Sequence, residues 1–156
     1  MTKDEFNKAY FDFAEQALSL AAKARKNGIL DLAGDIDLGK AGNRDIFHYG
    51  LQFAVKGINQ TLIETILTNI ISLDTDEYSR RFKTMQKEAV LHIQDGISPE
   101  MLHYILNSLT DIPINEVSNL VEQYIPVEID TDKIIAEAGI IFPKNDEEPN
   151  PDETQH

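Results

Sequence analysis

Apolar residues recur at helical spacing from the start of the chain. Phe6, Tyr10, Phe13, Ala17, Leu20 and Ala24 mark one face of a segment free of Gly and Pro, and Gly28 follows as a breaker. The spacing predicts one long amphipathic helix over 4–27. Thr2 or Asp4 can cap it, and Thr2-x-x-Glu5 fits a capping box, in which hydroxyl and carboxylate each take up an orphan N–H. Ile29 to Leu32 is a short apolar patch, and 34–43, with three of the eight glycines, reads as a loop. The helical pattern resumes at Asp45 through Ile46, Tyr49 and Phe53 and ends near Gly57; a further helix covers 60–72. Asp74 or Thr75 can cap the next, which runs through Tyr78, Phe82, Met85 and Ile93 to a stop at Asp95-Gly96. Ser98-Pro99-Glu100 is a sharp start signal: Ser at the cap, Pro where its missing N–H costs nothing, Glu near the positive end of the dipole. That helix is expected to reach about Leu109. Short helices are expected over 115–123 and 131–138, with an extended, proline-restricted stretch over 125–129.

The middle of the chain carries an internal similarity. Sliding 51–70 by 39 positions onto 90–109 matches Gly57 with Gly96, Ile58 with Ile97, Ile66 with Ile105 and Leu67 with Leu106. Each copy reads as helix, Gly turn, helix. Two copies are too few for a solenoid. The expectation is a small, single-domain, all-α bundle of about five to seven helices over 1–143.

Composition adds a surface to this scaffold. Of 156 residues, 27 are acidic and 14 basic, for a net charge of −13, while 42% are hydrophobic, enough to bury a core. Five of the acids lie in 144–156, a stretch with two prolines and no apolar residue that is expected to be a disordered acidic tail. Residues 1–144 then hold 22 acids against 14 bases. A nucleic-acid partner is not expected, because phosphate contacts need a clustered basic face. The longest runs free of charged side chains, 46–55 and 101–110, fall far below the roughly 18 residues of a membrane span, and acidic residues stand where a signal peptide would be basic. With no cysteine either, a cytoplasmic protein without membrane insertion is the expectation.

No catalytic constellation emerges, so an enzyme, a cofactor and a metal site are not expected. The four histidines, His48, His92, His103 and His156, show no HxxxH or HExxH spacing. His92 and His103 flank the Gly96 turn with Asp95 nearby, and the simpler reading makes them partly exposed helix side chains. Asp31, Asp35 and Asp37 alternate around Gly34 without the twelve-residue calcium-loop order. The densest basic cluster is Arg80, Arg81, Lys83 and Lys87; Asp76 and Glu77, four residues before Arg80 and Arg81, suit helix ion pairs. Arg25-Lys26, just before Gly28, suits the negative end of a helix or a partner contact.

Three segments carry a family resemblance. Ala22-Lys23-Ala24-Arg25-Lys26-Asn27-Gly28-Ile29-Leu30-Asp31-Leu32 resembles the cytoplasmic segment of MotA-type flagellar stator subunits, of the broader MotA/TolQ/ExbB proton-channel family. Tyr49-Gly50-Leu51-Gln52-Phe53-Ala54-Val55-Lys56-Gly57, with the helix after it, resembles that family's Gly-Leu-x-x-x-Val-x-Gly, and 87–99 resembles a helix ending in Ile-x-x-Gly-x-x-Pro. They cover about 18–108 in the family's order. The family's membrane spans have no counterpart, and of its charged pair that contacts the rotor, Arg25 matches while position 33 is Ala33.

The resemblance implies a non-conducting protein–protein interaction module that engages flagellar rotor or stator components, with Arg25, Lys26, Arg80 and Arg81 as charged partner contacts. A generic helical adaptor or regulator unrelated to motility is the competing reading. The apolar face of 6–24 is expected to pack inside its own domain or against a second copy, as a homo-oligomer.

Overall fold

A computed structural model describes residues 1–42 and 44–125, which form an all-α bundle with no β-strand among them. The expected helix over 131–138, the extended stretch after Ile125, the acidic tail and the end of the 1–143 domain lie outside the described residues. Five α-helices span α1 Lys3–Asn27, α2 Ile46–Val55, α3 Gln60–Ser72, α4 Glu77–Gln94 and α5 Pro99–Asn107.

The local start signals act as the side chains dictate. Thr2 Oγ1 accepts from Glu5 N at 3.1 Å and Glu5 Oε2 accepts from Thr2 N at 2.7 Å, so the capping box is closed. Ser98 caps α5 by accepting from Met101 N, with Pro99 at the first helical position. The cap of α4 is Asp76, not Asp74 or Thr75: its carboxylate accepts from Ser79 N at 2.7 Å. Asp74 instead ties the preceding corner together, accepting from Asp76 N at 3.0 Å and from Ser79 Oγ at 2.5 Å, and pairing with Lys83 at 2.7 Å. These donors hold its carboxyl well below the usual carboxylate range, the Lys83 contact first among them.

α4 is the central helix, in contact with the other four. α1 runs beside it in the same direction: Phe6 meets Tyr78, Phe13 meets Phe82, and Arg25 reaches Gly96. Phe6, Tyr10, Phe13, Ala17, Leu20 and Ala24 are all buried, so the apolar face of α1 packs inside its own domain. Phe13 stands at the centre, edge-on to Phe47 of α2 at 4.8 Å and to Phe82 of α4 at 5.6 Å. α3 lies at the border of the bundle, packed on α4 and α2 through Ile63, Leu67 and Ile71.

Two expected elements take another form. The patch at Ile29–Asp35 is a 3₁₀-helix that buries Leu32. The expected short helix over 115–123 is three successive 3₁₀ turns, Ile114–Glu116, Ser118–Leu120 and Glu122–Tyr124. Val117 and Val121, buried against the core at φ −120° and −112°, interrupt the helical ladder between them. Anchoring two β-branched side chains outweighs a continuous helix in a segment rich in Asn and Ser.

Candidate functional site

Arg25 and Lys26 occupy the last turn of α1, where cations offset the negative end of the helix dipole. Gly28, at φ 93°, ends the helix with its N–H on Ala24 O at 2.7 Å. Arg25 is exposed and its guanidinium donates to Gly96 O at 3.2 Å, which ties the end of α1 to the α4–α5 turn.

That turn has a counterpart after α2. Gly57 and Gly96 share φ 76°, a left-handed conformation that suits glycine. In one turn Gly57 N donates to Ala54 O and Ile58 N to Phe53 O; in the other Gly96 N donates to Ile93 O and Ile97 N to His92 O. Both are Schellman motifs with one bonding pattern, at the positions that the 39-residue offset relates. Two glutamines join them. Gln60 Nε2 donates to Leu91 O at 2.8 Å and to Asp95 Oδ2 at 3.0 Å, and Gln94 Nε2 donates to Ile58 O at 2.9 Å. The C-termini of α1, α2 and α4 therefore meet the N-termini of α3 and α5 at one end of the bundle, where Arg25, Lys26, Leu30 and Lys56 are exposed.

Arg80 and Arg81 lie at the other end of α4, roughly 24 Å from Gly96 at 1.5 Å per residue. Arg80 Nε donates to Asp74 O at 3.1 Å. Arg81 pairs with Glu77 at 2.9 Å, as the four-residue spacing predicts, and lies within 5.8 Å of the Phe6 ring and 5.4 Å of the Tyr78 ring. Asp76 takes no part in an Arg80 pair, because its carboxylate caps α4 and meets the N-terminal amine at 3.4 Å. The four basic residues thus form two separate pairs; in the second, Arg80 braces the α3–α4 corner and Arg81 reaches from α4 to the Phe6 ring of α1.

The other titratable groups are dispersed. Asp31 accepts from Asn27, Asp35 pairs with Lys23 at 2.9 Å, and Asp37 accepts from Gly39 N. Among the described residues, no three His, Cys, Asp or Glu side chains gather as metal ligands would. A cleft of about 320 Å³ beside α2 is floored by Phe13, Phe47 and Phe82 and rimmed by Asp12, Arg44 and Asp45. Asp45, on that rim, caps α2, and its Oδ2 lies 2.8 Å from His48 Nδ1, a local arrangement that the Asp at the cap and the His three residues on could have signalled.

His103 departs from its expected place at the surface. It is 1% exposed, both ring nitrogens lack a partner among the described residues, and burial pushes its pKa below the usual 6.5. The folded state therefore holds the neutral imidazole. Above about pH 6.5 folded and unfolded chains are alike at this position. As pH falls below that, the unfolded chain gains a proton that the folded chain refuses, and stability falls until the folded pKa is reached. The loss is at most about 1.4 kcal/mol per pH unit. Urea unfolding at pH 7 and pH 5.5 should show this slope in the native chain and a flatter one in His103→Leu; equal slopes would remove His103 as the source.

Compared with protein-family models, with curated proteins and with solved structures, the chain matches none of them. Among the described residues no helix is long and apolar enough to cross a membrane.

Proposed function

We propose that the protein is a protein–protein interaction module akin to the cytoplasmic part of a flagellar stator subunit, and that it engages a motor component through the turn-rich end of the bundle. One observation carries this reading. The three segments on which the resemblance rests, 22–32, 49–57 and 87–99, converge at that end, joined by the Arg25 bond to Gly96 and the Gln60 and Gln94 cross-links. Residues so far apart in sequence share one hydrogen-bonded surface, which a partner can read as a unit. Arg25 and Lys26 supply its charge, which steers encounter and sets specificity more than affinity. Arg80 and Arg81, at the far end of α4, would act as a second contact.

A generic helical adaptor is the alternative, favoured by the two like Schellman turns: a repeated local geometry asks for Gly followed by an apolar residue whatever the partner is. Affinity capture from the source cell, with the native chain against the paired Arg25→Glu and Lys26→Glu variant, separates the readings. Rotor or stator proteins in the native eluate, reduced at least about tenfold in the variant, a change of about 1.4 kcal/mol, are the expected result. Motor proteins retained by the variant would remove Arg25 and Lys26 from the contact, and capture of proteins unrelated to motility would favour the adaptor.

A further inference from the structure

α3 carries a second row of apolar side chains, bordering its packed face of Ile63, Leu67 and Ile71. Leu62, Ile66, Ile70 and Leu73 follow one another at intervals of four, four and three residues, which aligns them on one side of a helix. Leu62 is 57% and Leu73 78% exposed, Ile66 is half-buried, and Ile70 is half-buried with its inner side against the bundle's own core. At the C-terminal end of this stripe a notch of about 320 Å³ opens between Ile70, Leu73, Asp74, Thr75 and Lys83.

Charge is almost missing from this helix. Glu64 is the one charged residue in Gln60–Ser72, and it stands two positions from Leu62 and two from Ile66, off the stripe. Elsewhere the chain is acidic, with a net charge of −13. A basic partner would be drawn to that acidic surface and gains nothing from a neutral face. A second copy is in the opposite position: like charges oppose its approach except where both surfaces are uncharged.

The order of the stripe is also self-complementary. A two-fold contact requires that residue i meet j while j meets i. Leu62 and Leu73 bracket Ile66 and Ile70 about a centre between 67 and 68, so two antiparallel α3 helices set leucine against leucine at the ends and isoleucine beside isoleucine in the middle. The notch beside Leu73 is then positioned to receive Leu62 of the second copy. We infer that the outer face of α3 is a self-association surface, on which two copies of this chain pair with their α3 helices antiparallel. This inference is independent of the motor reading.

Sedimentation velocity over a concentration series tests it. The native chain should move from monomer to dimer. Leu62→Glu with Leu73→Glu, which alters only exposed side chains, should keep the native circular dichroism and weaken the dimer by on the order of a hundredfold. Orientation is read with single cysteines, since the chain has none of its own. A mixture of Ile66→Cys and Ile70→Cys proteins should form the 66–70 disulfide in preference to 66–66 or 70–70. A native chain that stays monomeric into the millimolar range overturns the proposal, and so does a dimer untouched by the two glutamates. Preferred 66–66 linkage overturns the antiparallel arrangement. A monomer whose capture of another protein is abolished by the same glutamates would assign the face to that protein instead.

Discussion

Phe13→Ala is expected to cost about 3–5 kcal/mol of unfolding free energy, the range for truncating a buried aromatic side chain. Phe13 is in edge contact with both α2 and α4, through Phe47 at 4.8 Å and Phe82 at 5.6 Å, so its loss opens a void where three helices meet. Against a typical domain stability of about 5–15 kcal/mol, that is a large fraction of the whole. Phe11, two residues earlier on the same helix and 38% exposed, serves as the control and should cost less than about 1 kcal/mol on truncation. Urea unfolding followed by circular dichroism reads both: the midpoint of Phe13→Ala should fall steeply at unchanged m, while Phe11→Ala stays close to the native chain. Equal losses at the two positions would mean that α1 does not bury the face its periodicity indicates.

That face was legible because it depends on local rules. The i, i+3, i+4 recurrence of Phe6 to Ala24 needs no knowledge of the partner helices, and all six residues are buried. The caps at Thr2 and Ser98 are equally local, since each hydroxyl serves an N–H three residues on. The expectation of a cap for α4 at Asp74 or Thr75, where Asp76 takes that place, fails for a related reason. Two aspartates in a row of candidates satisfy the same pattern, and the long Lys83 contact, absent from any local rule, decided which carboxylate organises the corner and which caps the helix.

The basic residues show where local rules end. The Arg81–Glu77 pair follows from spacing, but the Phe6 ring beside Arg81 comes from α1, far away in sequence, and so an arginine that composition marks as a docking charge is engaged within the bundle. The same limit hid His103. A histidine in Met101-Leu102-His103-Tyr104 lies between apolar neighbours on a short helix, and only the packing of α5 against α1 and α4 determines that it falls on the buried side. The turn-rich end was half legible: both glycines announce turns, whereas the glutamine cross-links that join the turns are long-range and leave no periodic trace.

Gly50→Ala is the substitution on which helix propensity and packing disagree. In an exposed helix interior the change would stabilise by about 1 kcal/mol, because alanine has less backbone entropy to lose. Gly50, however, lies in α2 where it crosses α4 and α3. A Cβ there would stand 2.8 and 2.9 Å from the two γ-carbons of Val90 and 3.0 Å from Leu67 Cδ1. Leu67 can turn its end away. Val90 cannot, since a β-branched side chain on a helix is confined to one strongly preferred χ1 rotamer and both its methyls face the glycine. The helices must therefore separate, at an overpacking cost of about 1–3 kcal/mol that exceeds the propensity gain at all but its lower end. We expect a net destabilisation of up to about 2 kcal/mol, seen as a lowered urea midpoint. A double-mutant cycle identifies the cause. With Val90→Ala in place the added methyl has room, so Gly50→Ala should become neutral or stabilising there. If Gly50→Ala destabilises equally in both backgrounds, the contact with Val90 is not what requires glycine at this crossing.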